Sequence, residues 1–310
     1  MPTADAPVHH NLLPRVGSVA GLQIREDALY TNASGAEKRR IRNRAEKDLQ
    51  QFGEVLARIL QPDEVVLYVA RAAEMPGNLE QILSAFVHAT DLSRSLLVFT
   101  NVRIIALRTR MRALRGWIWD RGIFTAEWNG LAKARVRGSL LRYLELADRN
   151  GRKERFWRLR HLDAAKIKVV TAAIGGAVGL AVEPHARAFS SFCPECFGTL
   201  APAVYRCPQC GMSFRNEKSL IARALFIPGG AYFYTGRIGL GIVSGLLETW
   251  ALFATISDLV SLARTAPGVV NGDAPQNPLA DALIAVSVAL LLKLVAIYRS
   301  KRLVRKFIPA

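Results

Sequence analysis

The chain is 310 residues long, which leaves room for about two domains. A hydrophobic content of 51% and a mean hydropathy of +0.16 are high for a protein with 22% charged residues; they exclude an evenly soluble chain and require the apolar residues to be concentrated somewhere. The net charge of +17 draws the soluble part toward an anionic surface, either nucleic acid or the cytoplasmic face of a bilayer.

The opening stretch, MPTADAPVHHNLLPRVG, lacks the basic segment followed by an apolar one that marks a cleaved signal peptide, so the start of the chain is expected in the cytoplasm. Residues 1–36 are rich in Ala, Pro, Gly and polar residues without periodicity and read as a disordered tail. Residues 37–62 read as a basic amphipathic helix. Leu49, Phe52, Val55, Leu56, Ile59 and Leu60 recur at helical spacing, and Pro62 ends the run.

From 63 to 176 the texture changes to short strands. EVVLYVA (64–70) is bounded by Pro62 and the EMPGN turn; SLLVFTNVRIIAL (95–107) folds back at Thr100 and Asn101. GWIWDRGIFTAEW and AKARVRG follow. LLRYLELADRNGRKERFWRL forms the clearest hairpin, with the turn at Asp148 to Gly151. HLDAAKIKVVTAAI then switches to helical period, with Ile167, Val170, Thr171 and Ile174 on one face, Asp163 placed as the N-cap and Leu162 as a staple onto Ile167.

Antiparallel strands closed by one C-terminal helix are the order of a pleckstrin-homology-like (PH-like) β-barrel. The LLVFTNVRIIAL hairpin, the LELADRNGRKERFWRL hairpin and the final helix resemble the bacterial PH-like domain family over about residues 55–175. Another small barrel or roll is the alternative. The resemblance implies an assembly module rather than specific phosphoinositide recognition.

Between Arg94 and Arg160 there are 17 Lys and Arg against five acidic residues, so most of the excess charge sits in this domain. Arg103, Arg108, Arg110, Arg112, Arg115, Arg135, Arg137 and Arg142 read as a surface for anionic phospholipid or a protein partner, each cation near a lipid surface contributing about 1 kcal/mol. Plain solvation is the alternative for any single arginine. Nucleic acid usually brings a basic recognition helix or an RRM aromatic pattern, and neither is visible.

VVTAAIGGAVGLAV (169–182) is too short to cross a bilayer, and Gly175 and Gly176 should end the helix that precedes it. Residues 177–191 read as a linker. Residues 192–216 hold every cysteine in the chain: Cys193, Cys196, Cys207 and Cys210 fit C-x2-C-x10-C-x2-C, with Gly198 and Gly211 where each knuckle needs a tight turn. Two thiolate pairs at this spacing reach the corners of one tetrahedron around a single structural Zn²⁺. Disulfides would need an oxidising compartment, and the knuckles of a rubredoxin-like iron site usually lie farther apart. The segment resembles a zinc ribbon.

Residues 225–300 read as a transmembrane hairpin, with spans at about 238–262 and 282–298. The first carries only Glu248 and Asp258 as charges and the second only Lys293. PGGAYFYTGRIGLG resembles the start of the TM2 membrane domain, with Pro-Gly, an aromatic-Tyr-x-Gly-Arg segment and a Gly-rich first turn, over about residues 227–300. The inter-span loop carries Arg264, against Arg223, Arg237, Arg299, Lys301, Arg302, Arg305 and Lys306 on the flanks, which places both termini, including the basic tail 301–310, in the cytoplasm. Gly241 and Gly245 form a GxxxG that lets another helix approach, either in the same chain or in a homo-oligomer. On this topology Glu248 lies about 15 Å and Lys293 about 9 Å deep, near enough to pair, and exchanging the two charges should restore what either reversal loses. The alternative has Lys293 snorkelling to the headgroups and Glu248 protonated.

The expected architecture is therefore multidomain α+β: a PH-like barrel capped by a helix, a four-cysteine ribbon, and a two-helix hairpin. Its expected role is a non-enzymatic, membrane-anchored adaptor in a bacterial inner membrane. A small transport or channel component, or a nucleic-acid-binding membrane protein, are the rival readings. The five histidines are scattered without a partnered nucleophile.

Overall fold

A computed structural model describes residues 15–74, 94–112, 116–139, 142–174, 188–264 and 278–310. The described chain divides at Thr199 into two compact units.

The first unit opens with β1 (Val16–Val19) and β2 (Leu22–Arg25), a hairpin turning at Ala20 and Gly21, both at positive φ, followed by the short α1 (Glu26–Leu29) and by α2 (Arg39–Ile59). The expected disordered tail is thus corrected from Val16 onward. Its buried positions, Leu22, Ile24, Leu29 and Tyr30, are few and scattered, and they gain stability only by packing with α2 on the sheet. Next come β3 (Val66–Glu74), β4 (Arg94–Thr100), β5 (Arg103–Arg112) and β6 (Gly116–Glu127), an antiparallel meander. A 3-10 turn at Trp128–Gly130 leads to a second meander of β7 (Leu131–Arg137), β8 (Tyr143–Asp148) and β9 (Lys153–Trp157), closed by α3 (His161–Ile174).

Among the described residues these strands, with β10 (Phe189–Phe192) and β11 (Thr199–Leu200), form one sheet in the order β11-β10-β6-β5-β4-β3-β9-β8-β7, with β2 on β3 and β1 on β2. The expected closed barrel is not observed. The outer edge of β6 is taken by β10, paired from Phe189 on Ala126 to Phe192 on Ile123, and so is not available to β7. Of the expected linker 177–191, the last three residues therefore belong to strand β10, while 177–187 lie outside the described residues.

Both faces of the first meander are covered. Tyr68, Leu97, Phe99 and Trp128 pack with Leu144, Leu146, Phe156 and α3 residues Ile167 and Val170. On the other face Val66, Val98, Ile105 and Leu107 pack with Ile24, Leu29, Leu49, Phe52 and Leu56. A sheet buried on two sides needs apolar residues at successive positions, which is why alternation along these strands is poor.

The start of α3 also differs from expectation. Asp163 lies inside the first turn, buried, and its carboxylate accepts from Arg44 Nη2 and Tyr68 OH, each at 2.8 Å, rather than capping the helix. Leu162 is 57% exposed, whereas Ile167, its expected staple partner, is fully buried.

The second unit contains α4 (Glu217–Phe226), α5 (Gly230–Tyr234), α6 (Ile238–Arg264) and α7 (Pro278–Val304). Asn216 caps α4 by accepting from Ser219 N at 2.7 Å. Two stretches, Ile238–Val260 and Leu283–Lys301, are long and apolar enough to cross a membrane. Leu220, Ala224, Ala231, Tyr232, Leu240, Ala296 and Val304 form the core between the four helices. The basic tail is not free chain: α7 runs on to Val304, Phe307 meets Phe214 edge-on at 5.5 Å, and Arg215 N donates to Ile308 O at 2.9 Å.

Candidate metal centre and buried charge network

The two cysteine knuckles repeat one backbone pattern. Cys193 N donates to Gly198 O and Cys207 N to Met212 O, both at 2.8 Å; Phe197 N returns to Cys193 O at 2.9 Å and Gly211 N to Cys207 O at 3.0 Å. The residue after each second cysteine takes a left-handed conformation, Gly211 at φ 74 and Phe197, not Gly198, at φ 58. A side chain at positive φ costs about 1–2 kcal/mol. Phe197 offsets this by packing against the core under Arg58, whose guanidinium stands 5.9 Å from the ring centroid.

The four thiols lie within 4.8 Å of one another, and the cysteines form no disulfide. Sulphurs about 2.3 Å from a tetrahedral metal are about 3.8 Å apart, so this donor set can hold a metal such as zinc. Cys193 and Cys207 are buried, Cys196 half-buried and Cys210 exposed.

The structure brings Glu248 and Lys293 together. Lys293 Nζ donates to Glu248 Oε2 at 2.9 Å and to Ala224 O at 2.8 Å. Glu248 also accepts from Gly229 N at 3.2 Å and from Ser244 Oγ at 2.9 Å. Within the chain, the groove at Gly241 and Gly245 is occupied by a turn rather than by the second span. The two glycines receive the Pro228-Gly229 backbone and the Phe233 ring: a Cβ on Gly241 would overlap Phe233, and one on Gly245 would stand 3.2 Å from Pro228 O. Sequence reasoning missed Ser244, Gly229 and Ala224. Only Ser244, four residues before Glu248 and so on its helix face, left a readable trace.

The eight arginines do not make one exposed surface. Arg103 is buried and donates to both carboxylate oxygens of the buried Glu64, at 3.0 and 2.8 Å. Arg108 is also buried, 3.4 Å from Asp120, which lies 3.2 Å from the exposed Arg110. Arg135 and Arg137 converge with Arg155 on Glu145, at 3.3, 3.5 and 3.0 Å. Arg142 is half-buried, and the side chains of Arg112 and Arg115 lie outside the described residues. Arg103 and Arg108 are corrected as members of that surface: local sequence does not show that acids from elsewhere in the fold meet them inside.

Further ion pairs lie where the sequence pointed to none. Arg71 binds Asp48 of α2 and lies 4.8 Å from the Trp117 ring centroid, with Arg94 at 4.7 Å. Burial, reinforced by the Asp163 carboxylate, raises the Tyr68 hydroxyl well above its ordinary pKa and keeps it a donor.

No known family model matches the chain, and no curated protein matches it in sequence.

Proposed function

We propose that the chain is a non-enzymatic adaptor anchored in a membrane by α6 and α7, presenting a PH-like domain and a zinc-stabilised ribbon on the cytoplasmic side. The observation that carries the anchoring is the inversion of α6 and α7. Large apolar side chains such as Trp250 at 69% and Phe253 at 72% face outward, while Glu248 faces inward. A core helix of a soluble protein does the reverse; exposed apolar area on this scale suits hydrocarbon. The order of four strands, three strands and a helix supports the PH-like reading, with β1, β2, α1, α2 and β10 as additions to it. The basic residues at the start of α6 and the end of α7 favour cytoplasmic termini. Within the hairpin, the Glu248 carboxylate and the Lys293 ammonium each have several partners, which favours a structural role over an ion path.

Three measurements test this. The full chain should stay with membranes through alkaline extraction; release into the supernatant would refute the anchor. Elemental analysis should find about one zinc per chain, because closed four-thiolate sites couple metal binding to folding. A metal-free protein with oxidised cysteines in fresh lysate would defeat the ribbon. Affinity purification from detergent-solubilised membranes should recover a stable protein partner, and reproducible recovery of the chain alone would count against an adaptor.

A further inference from the structure

α4 and α5 are absent from the two-span scheme, yet their position in the second unit is closely determined. At one end they are polar. Asn216 N donates to Tyr234 OH at 3.0 Å, and Glu217 accepts from Arg305 Nε at 2.7 Å and lies 3.7 Å from Lys301 Nζ. From there α4 runs ten residues, about 15 Å, toward Phe226. The chain turns at Pro228-Gly229 and comes back as α5 to Arg237, where α6 begins.

The turn lies beside the interior of α6. A Cβ on Gly229 would overlap Gly241 O and stand 3.0 Å from Gly245 N. Those glycines are three and seven residues into α6, so the turn lies about 5 to 10 Å below the start of that helix. Its side chains are apolar and face outward: Leu225 is 57%, Phe226 85% and Ile227 47% exposed. They continue the apolar belt of α6 and α7. Arg223 turns back, its guanidinium 4.8 Å from the Tyr234 ring centroid, toward the polar end.

From these observations, and resting on the membrane anchoring proposed above, we infer that residues 217–236 form a re-entrant hairpin that enters the cytoplasmic leaflet and presents Leu225, Phe226 and Ile227 to lipid acyl chains. Irregular backbone survives at that depth only if protein groups satisfy it. Here the Glu248 and Lys293 pair does so. Lys293 takes the Ala224 carbonyl in the last turn of α4, and Glu248 takes the Gly229 amide at the start of α5, each charge matched to the backbone dipole it meets. The pair is thus the clasp of the hairpin, and the GxxxG groove is its seat.

The test places the photoreactive residue benzoylphenylalanine at one of three positions in the full-length chain in native membranes: in place of Phe226, of Phe253 in α6, or of Glu217 at the polar end. Lipid adducts are then read by mass spectrometry after irradiation. Adducts at 226 and 253 but not at 217 are expected. Adducts at 253 with none at 226, or crosslinks from 226 to protein alone, would overturn the re-entrant hairpin while leaving the anchor standing. No lipid adduct at 253 would overturn the anchor and the hairpin with it. As a check independent of crosslinking, Phe226→Lys should lose membrane-inserted protein while Phe226→Leu retains it; equal amounts of the two would also overturn the inference.

Discussion

In the first unit Arg103 donates to Ile59 O at the end of α2 while its partner Glu64 accepts from Gln61 N; in the second, Lys293 donates to Ala224 O near the end of α4 while its partner Glu248 accepts from Gly229 N. Each pair thus binds a helix-terminal carbonyl with its cation and a nearby amide with its anion. The surroundings are opposite. Around Arg103 and Glu64, with side chains 6% and 0% exposed, the apolar residues turn inward; around Lys293 and Glu248, at 25% and 5%, the large apolar side chains turn outward. A buried ion pair in a watery protein often adds little net stability, because water would solvate both ions well. On the membrane anchoring proposed above, hydrocarbon offers no such competitor, and the same arrangement serves to satisfy polar backbone at depth.

The comparison can be broken most forcefully in the first unit. Glu64→Ala leaves Arg103 charged and enclosed, and should destabilise the full chain by about 3–5 kcal/mol in chemical denaturation in detergent. A loss below about 1 kcal/mol would mean that water reaches Arg103. Next in size are the hairpin variants. Glu248→Lys and Lys293→Glu should each reduce membrane-inserted protein, since an unpaired charge at depth costs about 2.5–3.5 kcal/mol. The exchanged pair should not recover the loss, contrary to what the sequence suggests, because it sets a carboxylate against Ala224 O and an ammonium against Gly229 N. Full rescue would show that the two charges matter only to each other.

The smallest effect belongs to the exposed counterpart of these pairs. The hydrogen bond from Arg305, above all, holds the Glu217 carboxyl below the usual carboxylate range. A depressed folded-state pKa means that the contribution is complete above the unfolded value of about 4.3 and is lost as pH falls through the folded one. Glu217→Ala should therefore cost at most about 0.2–1 kcal/mol at neutral pH, Arg305 being 68% exposed, and nothing at pH 2. A pH-independent loss would point to packing instead of charge.

What the sequence by itself determined is local. Cys193, Cys196, Cys207 and Cys210 are near neighbours whose spacing dictates their meeting, and runs such as 238–262 and 282–298 announce helices by length and hydropathy alone. The course of α2 and the turn after Asp148 were legible for the same reason. Tertiary structure decided the rest. The strand at 16–19 and the burial of Leu22 and Ile24 depend on α2; the open sheet depends on β10 reaching the edge of β6 from more than 60 residues away; Arg103 is buried because Glu64 is there to meet it. Glu248 and Lys293 stood out in the sequence as charges in apolar runs, but their shared task at Gly229 and Ala224 did not. Hydrogen bonds to a backbone group leave no trace in the identity of the residue that supplies it, so only the folded chain shows which amide and which carbonyl a buried charge serves.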